Sequence, residues 1–217
     1  MGVFNRRFLC LWNMVYNPQI HHRHSIRLPE YNYRQPGYYF VTMSTQNREC
    51  LFGEIKEEKI ILSEIGKIVY DFWPKVREHF NNVELDEFIV MPNHFHGIVV
   101  IKEILNYRGE DNSRRGNLYC GGGVTPPRRL LSSPRLGQII AYFKYQTTKH
   151  INKLLRMPAK KIWQRNYYEH VIRNDQSLYN IRNYIVNNQL KWNKDVENLK
   201  SEDKNIKDYY GKIIDYE

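Results

Sequence analysis

Cysteine is scarce in this chain of 217 residues. Its three cysteines, Cys10, Cys50 and Cys120, are far apart and form no CxxC pair. A disulfide framework requires an even set of cysteines, and a cysteine zinc site requires closely spaced thiolates. The sequence therefore argues against both, and a reducing cytoplasm is the expected compartment.

Long hydrophobic runs are also missing. The apolar run at residues 8–12 is too short to cross a bilayer, and it lacks the small-residue cleavage site of a signal peptide. The hydrophobic content of 41% and the charged content of 26% are typical of a globular protein. We therefore expect no membrane partner.

Acidic residues are too few to balance the basic ones. The chain has 33 Lys and Arg against 23 Asp and Glu, which gives a net charge of +10 and a pI of about 9.4. This charge favours a polyanionic partner, with nucleic acid as the first candidate. Charge alone does not decide the matter, because many basic proteins bind no nucleic acid.

The chain is expected to form one domain with appendages, because its length is small for two separate cores. Residues 1–30 are predicted to be a basic arm, and residues 31–194 the folded domain. Within the domain, residues 106–134 contain a triple glycine and several prolines, which indicates a flexible insertion. Residues 195–217 are polar and are predicted to be a partly helical, loosely attached tail.

Hydrophobic periodicity predicts an α+β domain with an antiparallel sheet. Ser63 and Asp175 are candidate N-caps, and Pro74 should kink the first helix. Runs of aromatic and β-branched residues indicate the strands, two of which form a hairpin. The predicted strands are 38–44, 83–91 and 95–101, and the predicted helices begin at 63, 136 and 175, the last two ending at 155 and 192.

The hairpin carries a candidate metal site. His94 and His96 are two residues apart in a predicted strand, so both imidazoles should project from one face while Phe95 enters the core on the other. Two neutral ring nitrogens supply half of a divalent-metal site. A His-x-His pair alone is weak evidence, and a structural role for both histidines remains open.

The last predicted helix carries a tyrosine and an amide on one face. Tyr184 and Asn188 are four residues apart and continue an apolar stripe that should face the sheet. A buried amide needs partners, and the side-chain oxygen of Asn188 could serve as a third metal ligand. Tyr184 would then lie beside the metal, although a tyrosine in such a stripe is often only core packing.

A phenol beside a divalent cation suggests covalent catalysis on a phosphodiester. The cation would neutralise charge on the phosphate, and attack by Tyr184 would give a phosphotyrosine that a later 3′-hydroxyl can resolve. Simple hydrolysis would need no tyrosine. Tyr142 with Gln146 is a rival pair at the same spacing, whereas Tyr145 has no amide four residues on.

Several motifs resemble one family, the REP-associated tyrosine transposases, which are single-tyrosine HUH transposases. The motifs are MPNHFHGIVVI (91–101), WQRNYYEHVIRN (163–174) and IRNYIVNNQLKW (181–192). The segments at 21–42 and 52–73 are also similar, so the resemblance runs from about residue 14 to residue 192. One departure is Asn188-Gln189, where the family commonly has Asn-Pro.

The resemblance implies both a fold and a site. The fold would be a ferredoxin-like or RNA-recognition-like HUH endonuclease fold with helices packed on an antiparallel sheet. His94 and His96 would bind Mg²⁺ or Mn²⁺, Tyr184 would be the nucleophile, and Asn188 would complete the site. The substrate would be single-stranded, hairpin-forming repeat DNA, and the enzyme a monomer or a homodimer.

Aromatic and basic residues alternate after the second long helix, a composition that suits single-stranded DNA. Arg165 and Arg173 are the candidate DNA contacts there, with Arg23 and Arg27 in the arm, whereas Trp163 and Tyr168 are expected in the core. Two other interpretations remain open: a non-catalytic module that binds hairpin nucleic acid, and a metal nuclease that acts by hydrolysis.

Overall fold

The computed structural model describes residues 31–103, 134–199, 201 and 206–214. The predicted arm with Arg23 and Arg27 therefore lies outside the described residues, as does nearly all of the predicted insertion. In the described ranges, no helix is both long enough and apolar enough to cross a membrane.

The described part contains six strands and five α-helices. The strands are β1 (Gly37–Ser44), β2 (Gly53–Lys56), β3 (Lys59–Leu62), β4 (Val83–Val90), β5 (His94–Ile101) and β6 (Tyr168–Ile172). The α-helices are α1 (Glu64–Phe72), α2 (Val76–His79), α3 (Leu136–Leu155), α4 (Asp175–Asn187) and α5 (Ile206–Ile214).

The fold is α+β, as the sequence predicted. Four strands form an antiparallel sheet in the order β4-β5-β1-β6, and β2 and β3 form a separate hairpin. With α1 after β1 and α3 after β5, the succession of strands and helices in the main sheet is that of a ferredoxin-like fold. Strand β5 is therefore interior, paired on both sides, which fixes the orientation of its side chains.

Helices α1 and α3 cover one face of the sheet. Phe95 projects from β5 into this layer, where its ring centroid lies 4.6 Å from that of Trp73 and 5.4 Å from that of Phe143. All three side chains are fully buried. Burial of large aromatic rings contributes most of the stability of such a layer, so this face is the main hydrophobic core.

Helix α4 covers the opposite face. Ile181 and Ile185 of α4 are fully buried against Phe40 of β1 and Ile98 of β5. Tyr210 of α5 joins this second cluster and is also fully buried. Because side chains alternate along a strand, this face also receives His94 and His96, which lie four and two residues before Ile98.

The helix boundaries agree with the sequence in most places. Ser63 caps α1 by accepting a hydrogen bond from the Gly66 amide at 3.1 Å, and the helix breaks at Phe72, two residues before Pro74. Helix α3 has the predicted bounds. The cap of α4, however, is Asn174 and not Asp175: the Asn174 side chain accepts from the Ser177 amide at 2.7 Å.

The C-terminal region differs from the prediction. Helix α4 ends at Asn187 and the chain continues as a 3₁₀ helix, Asn188–Lys194, so the predicted α-helix to 192 was wrong at its end. The following residues were predicted to be loosely attached, yet Asp195 is fully buried and Val196 is 2% exposed. The tightening to 3₁₀ geometry turns the chain back onto the sheet.

Two strand features were not predicted. Strand β6 lies within an aromatic and basic segment whose alternation is obscured by Tyr and His, and it forms the edge of the main sheet beside β1. The β2–β3 hairpin turns at Glu57 and Glu58, both in the left-handed region with φ of 49° and 61°. Glycine or asparagine normally marks such a turn, and neither is present at these positions.

Candidate metal centre and tyrosine site

Strand β5 places two imidazoles side by side on the α4 face. His94 and His96 are both fully buried, and their ring centroids are 4.4 Å apart. Burial lowers the pKa of His94 to about 3, with a smaller contribution from the Arg48 guanidinium. Burial also holds the pKa of His96 well below its ordinary value, so both rings are neutral and able to bind a metal.

His96 contacts both neighbouring layers. Its Nδ1 is 2.9 Å from the Thr42 hydroxyl on β1, and its Nε2 is 3.1 Å from the Tyr184 hydroxyl on α4. Strand β5 and helix α4 therefore meet at this ring. The histidine and tyrosine that the sequence predicted as partners are 88 residues apart in the chain and are in hydrogen-bond contact in the fold.

Asn188 lies one turn after Tyr184 and is fully buried in the same place. Both side chains converge on Asp195: the Tyr184 hydroxyl donates to Asp195 Oδ2 at 3.2 Å, and Asn188 Nδ2 donates to the same oxygen at 2.9 Å. The structure thus brings together all four residues that the sequence indicated for catalysis and metal binding, and it adds a carboxylate to them.

Sequence reasoning missed Asp195. Its Oδ2 lies 3.8 Å from His94 Nε2, and ligand atoms of His94, His96 and Asp195 all lie within 4.8 Å of one another. The other oxygen of Asp195 accepts from the Glu197 amide at 2.7 Å, which holds the carboxylate in place. No periodic pattern marks this residue, because its position depends on the 3₁₀ turn before it.

The atoms of this group fit a divalent cation. His94 Nε2 and Asn188 Oδ1 are both buried and have no hydrogen-bond partner. Unpaired buried polar atoms are costly, and two of them beside one carboxylate indicate a place for a positive charge. Two imidazole nitrogens with two oxygens form a mixed donor set that suits several divalent metals.

The Tyr184 phenol is protonated in this closed site. Its side chain is 5% exposed, and burial raises its pKa well above the ordinary value, with further contributions from Tyr210 and Asp195. Its hydroxyl donates to Asp195 Oδ2 at 3.2 Å, and its oxygen also lies 3.1 Å from His96 Nε2. The phenol is therefore held by two side chains of the buried histidine and aspartate group.

The rival tyrosine lies elsewhere. Tyr142 stacks on His79 with a centroid distance of 3.9 Å and an interplanar angle of 7°, and it packs against the α1–α3 layer. That layer is on the face of the sheet opposite the two buried histidines. Tyr145 is 65% exposed on the same helix. The structure therefore brings neither tyrosine to His94 and His96.

The predicted DNA contacts of the domain lie on either side of strand β6. Arg165 and Arg173 are exposed and precede and follow β6, the edge strand of the sheet. Trp163 is in the core, as expected, where its Nε1 donates to the Thr147 hydroxyl at 2.9 Å. Tyr168 stacks on Tyr210 with a centroid distance of 4.5 Å, so it is also a packing residue.

The solved structures similar to this chain include two that are described as transposases. One is a REP-associated tyrosine transposase bound to a REP hairpin, with 20% identity and a TM-score of 0.47 over 73% of this chain and 69% of that chain. The other is a putative transposase from Deinococcus radiodurans R1, with 12% identity and a TM-score of 0.40 over 75% and 96%. Because both TM-scores lie below 0.5, we infer function from the side chains of this chain.

No protein-family model matches the chain. An uncharacterized protein of Haemophilus influenzae (strain Rd) is 40% identical over 180 residues, which is 83% of this chain and 95% of that protein. An identity of this size over most of both sequences shows common descent. The chain therefore belongs to the same protein family as the Haemophilus influenzae protein.

Proposed function

We propose that this protein is a metal-dependent transposase of the HUH type that cuts and rejoins single-stranded DNA with Tyr184 as its nucleophile. The observation that carries the proposal is the position of the Tyr184 hydroxyl, 3.1 Å from His96 Nε2 and 3.2 Å from Asp195 Oδ2. A tyrosine that served only as packing would not need two ionisable partners at its oxygen.

His94, His96, Asp195 and Asn188 would hold the cation, which we propose to be Mg²⁺ or Mn²⁺. Both unpaired atoms of the group, His94 Nε2 and Asn188 Oδ1, would become ligands. A cation bound there supplies neutralisation of the negative charge that develops on a phosphate during attack. Carboxylate and amide oxygens are hard ligands, which favour Mg²⁺ and Mn²⁺ among the divalent metals.

Tyr184 performs the covalent step. A bond forms between its phenolic oxygen and the phosphorus, and the bond from phosphorus to the 3′-oxygen breaks, so the strand ends in a free 3′-hydroxyl and a 5′-phosphotyrosine. Asp195 Oδ2 accepts a hydrogen bond from the phenol and orients it for attack. The phenolic proton passes to water, and the leaving 3′-oxygen takes a proton from water. Attack by another 3′-hydroxyl reverses the step and joins new ends.

Single-stranded, hairpin-forming repeat DNA is the proposed substrate. The net charge of +10 favours a polyanion, and the exposed Arg165 and Arg173, which precede and follow the edge strand β6, would contact the phosphate backbone of the DNA. Arg23 and Arg27 of the arm would add contacts to the sequence beside the hairpin. The protein would act as a monomer or a homodimer in the cytoplasm.

Covalent trapping tests this proposal. Protein, Mn²⁺ and a 3′-end-labelled hairpin from the flanking genome should give a labelled protein band on denaturing gels, because the 3′ fragment is the one that stays bound to the tyrosine. We expect Tyr184→Phe to abolish the band, because it removes the attacking oxygen while keeping the ring. Tyr179→Phe is the matched control, since Tyr179 is on the same helix and is 60% exposed. A band that survives in Tyr184→Phe would refute the assignment.

A non-catalytic hairpin-binding module is the second candidate. It is favoured by the burial of the Tyr184 side chain, which is 5% exposed and lies beside the rings of Tyr209 and Tyr210, because a buried hydroxyl is not open to DNA. Such a module would bind hairpins equally well without metal and would form no adduct. A hydrolytic nuclease would instead cleave without any adduct, and Tyr184→Phe would retain cleavage.

A further inference from the structure

We propose that Asn93 is a positioning residue that fixes the tautomer of His94, so that His94 Nε2 always presents a lone pair to the cation site. This inference rests on the proposed function, since it concerns the same metal centre. Asn93 is the residue before β5 and is 1% exposed. It touches neither Tyr184 nor the reacting atoms, so its role is exerted through His94.

The orientation of the Asn93 amide is determined by its surroundings. Its Nδ2 is 2.8 Å from the Glu197 carbonyl oxygen and 3.2 Å from the Arg48 carbonyl oxygen. Carbonyl oxygens only accept hydrogen bonds, so the NH₂ group must face them and cannot exchange places with Oδ1. The Asn93 backbone is also held, because its carbonyl accepts from the Thr45 amide at 2.8 Å.

This orientation leaves Asn93 Oδ1 facing His94. The distance from Oδ1 to His94 Nδ1 is 2.9 Å, which is that of a hydrogen bond. Since Oδ1 can only accept, Nδ1 must carry the hydrogen, and in a neutral imidazole the other nitrogen then has the lone pair. The opposite tautomer would place two lone pairs 2.9 Å apart in a buried site.

A hydrogen fixed on His94 Nδ1 determines the state of the other ring nitrogen, Nε2. His94 Nε2 is buried without a hydrogen-bond partner and lies 3.8 Å from Asp195 Oδ2. With the hydrogen held on Nδ1, two acceptors face each other across this gap, and a cation between them would satisfy both. Metal-binding histidines commonly donate their second ring N–H to such a fixed acceptor.

His96 lacks this control. Its Nδ1 faces the Thr42 hydroxyl, which can donate or accept, so the contact leaves the His96 tautomer open. Asn93 also bonds to the backbone of Glu197, two residues beyond Asp195, and so it couples the His94 ring to the segment that carries the carboxylate. The Asn93 amide therefore orients the His94 ring and also holds the segment that carries Asp195.

The test uses the full chain without metal and with Mn²⁺ alone. Long-range ¹H–¹⁵N spectra of the metal-free protein should show His94 as the Nδ1–H tautomer, and Asn93→Leu should lose that preference because the acceptor is gone. We expect Mn²⁺ affinity, measured calorimetrically, to fall about 10–100-fold in Asn93→Leu, as for other residues that orient a ligand. Asn93→Asp, which keeps an acceptor oxygen, should retain the tautomer.

Asn198→Ala is the matched control. Asn198 lies in the same segment, and its Nδ2 donates to the Trp192 carbonyl at 3.0 Å; because this bond does not involve an imidazole, its loss should leave the His94 tautomer unchanged. An Nε2–H tautomer in the wild-type protein would overturn the proposal even if Asn93→Leu did not fold. So would unchanged Mn²⁺ affinity in a folded Asn93→Leu protein. Neither readout requires DNA cleavage, so a wild-type protein that forms no adduct would overturn the proposed function alone.

Discussion

At the residue scale, the site depends on where each polar atom finds a partner. Asp195 Oδ2 receives hydrogen bonds from Tyr184 and Asn188, whereas the two potential ligand atoms His94 Nε2 and Asn188 Oδ1 receive none. Buried polar groups are normally satisfied, so two unpaired polar atoms beside one carboxylate support the proposed cation site.

Asp195→Asn should weaken metal binding, because the amide keeps the size of the carboxylate but removes its charge and replaces one of its two accepting oxygens with a donor. We expect Mn²⁺ affinity to fall more than about 100-fold, since even residues that only orient a ligand cost about 10–100-fold. Isothermal titration of the metal-free protein with Mn²⁺ measures this. Asp71→Asn, an exposed change on α1, is the control. Equal affinities in the two variants would show that Asp195 is not a ligand.

The sequence alone could predict four of these residues and not the fifth. His94 and His96 lie in a strand with a clear pattern, and Tyr184 and Asn188 lie one turn apart on a helix, so their relative directions follow from regular geometry. Asp195 follows a 3₁₀ helix whose direction depends on packing against the sheet. Local sequence does not specify that turn.

At the element scale, helix α4 and strand β5 carry residues of the site, and helix α3 packs on the opposite face of the sheet. Helix α4 brings Tyr184 and Asn188 to β5, and its end is fixed where Asn188 begins the 3₁₀ helix. On the other face, Lys144 of α3 ties the segment before β6 to the domain. Its Nζ donates to the carbonyls of Gln164 and Asn166, each at 2.9 Å.

The lysine on α3 should make stability depend on pH. Burial lowers the pKa of Lys144 to about 8, whereas the unfolded chain has a value near 10.5. Between pH 8 and pH 10.5 the unfolded state binds more protons than the folded state does. The contribution of Lys144 to stability therefore rises with pH in this range and is constant below about pH 8. Between about pH 7.5 and 9.5 we expect the free energy of unfolding to rise by roughly 1–2 kcal/mol relative to Lys144→Met.

Urea denaturation of both proteins at the two pH values measures that difference. The comparison with Lys144→Met removes the contribution of tyrosines and other groups that titrate in the same range. Parallel changes in the wild-type protein and the variant would show that the ammonium group is as well solvated in the folded state as in the unfolded state.

At the scale of the whole molecule, the proposed nucleic-acid partner rests on net charge and on the position of two arginines. The ferredoxin-like sheet leaves β6 as an edge strand with arginines at both ends, and the chain as a whole carries +10. The sequence predicted the fold class and most elements because their periodicity is strong. It did not predict β6, whose polar and aromatic residues hide the alternation of a half-buried strand.

Hairpin binding should therefore be strongly salt-dependent. Removing one arginine that binds a phosphate reduces the slope of log affinity against log salt by about one, so Arg165→Ala with Arg173→Ala should lower its magnitude by about two. Fluorescence anisotropy with a labelled hairpin at several salt concentrations measures the slope. Lys67→Ala, which removes an exposed lysine paired with Glu64, should leave it unchanged. An unaltered slope in the double variant would exclude both arginines from the interface.

The most direct measurement of the central claim is the position of the covalent bond itself. Protein incubated with Mn²⁺ and a hairpin substrate would be digested with protease and nuclease, and its peptides would be sequenced by tandem mass spectrometry. The proposed mechanism requires a 5′-phosphonucleotide on Tyr184 and on no other tyrosine. A modification at Tyr142, or cleaved DNA with no modified tyrosine, would contradict it.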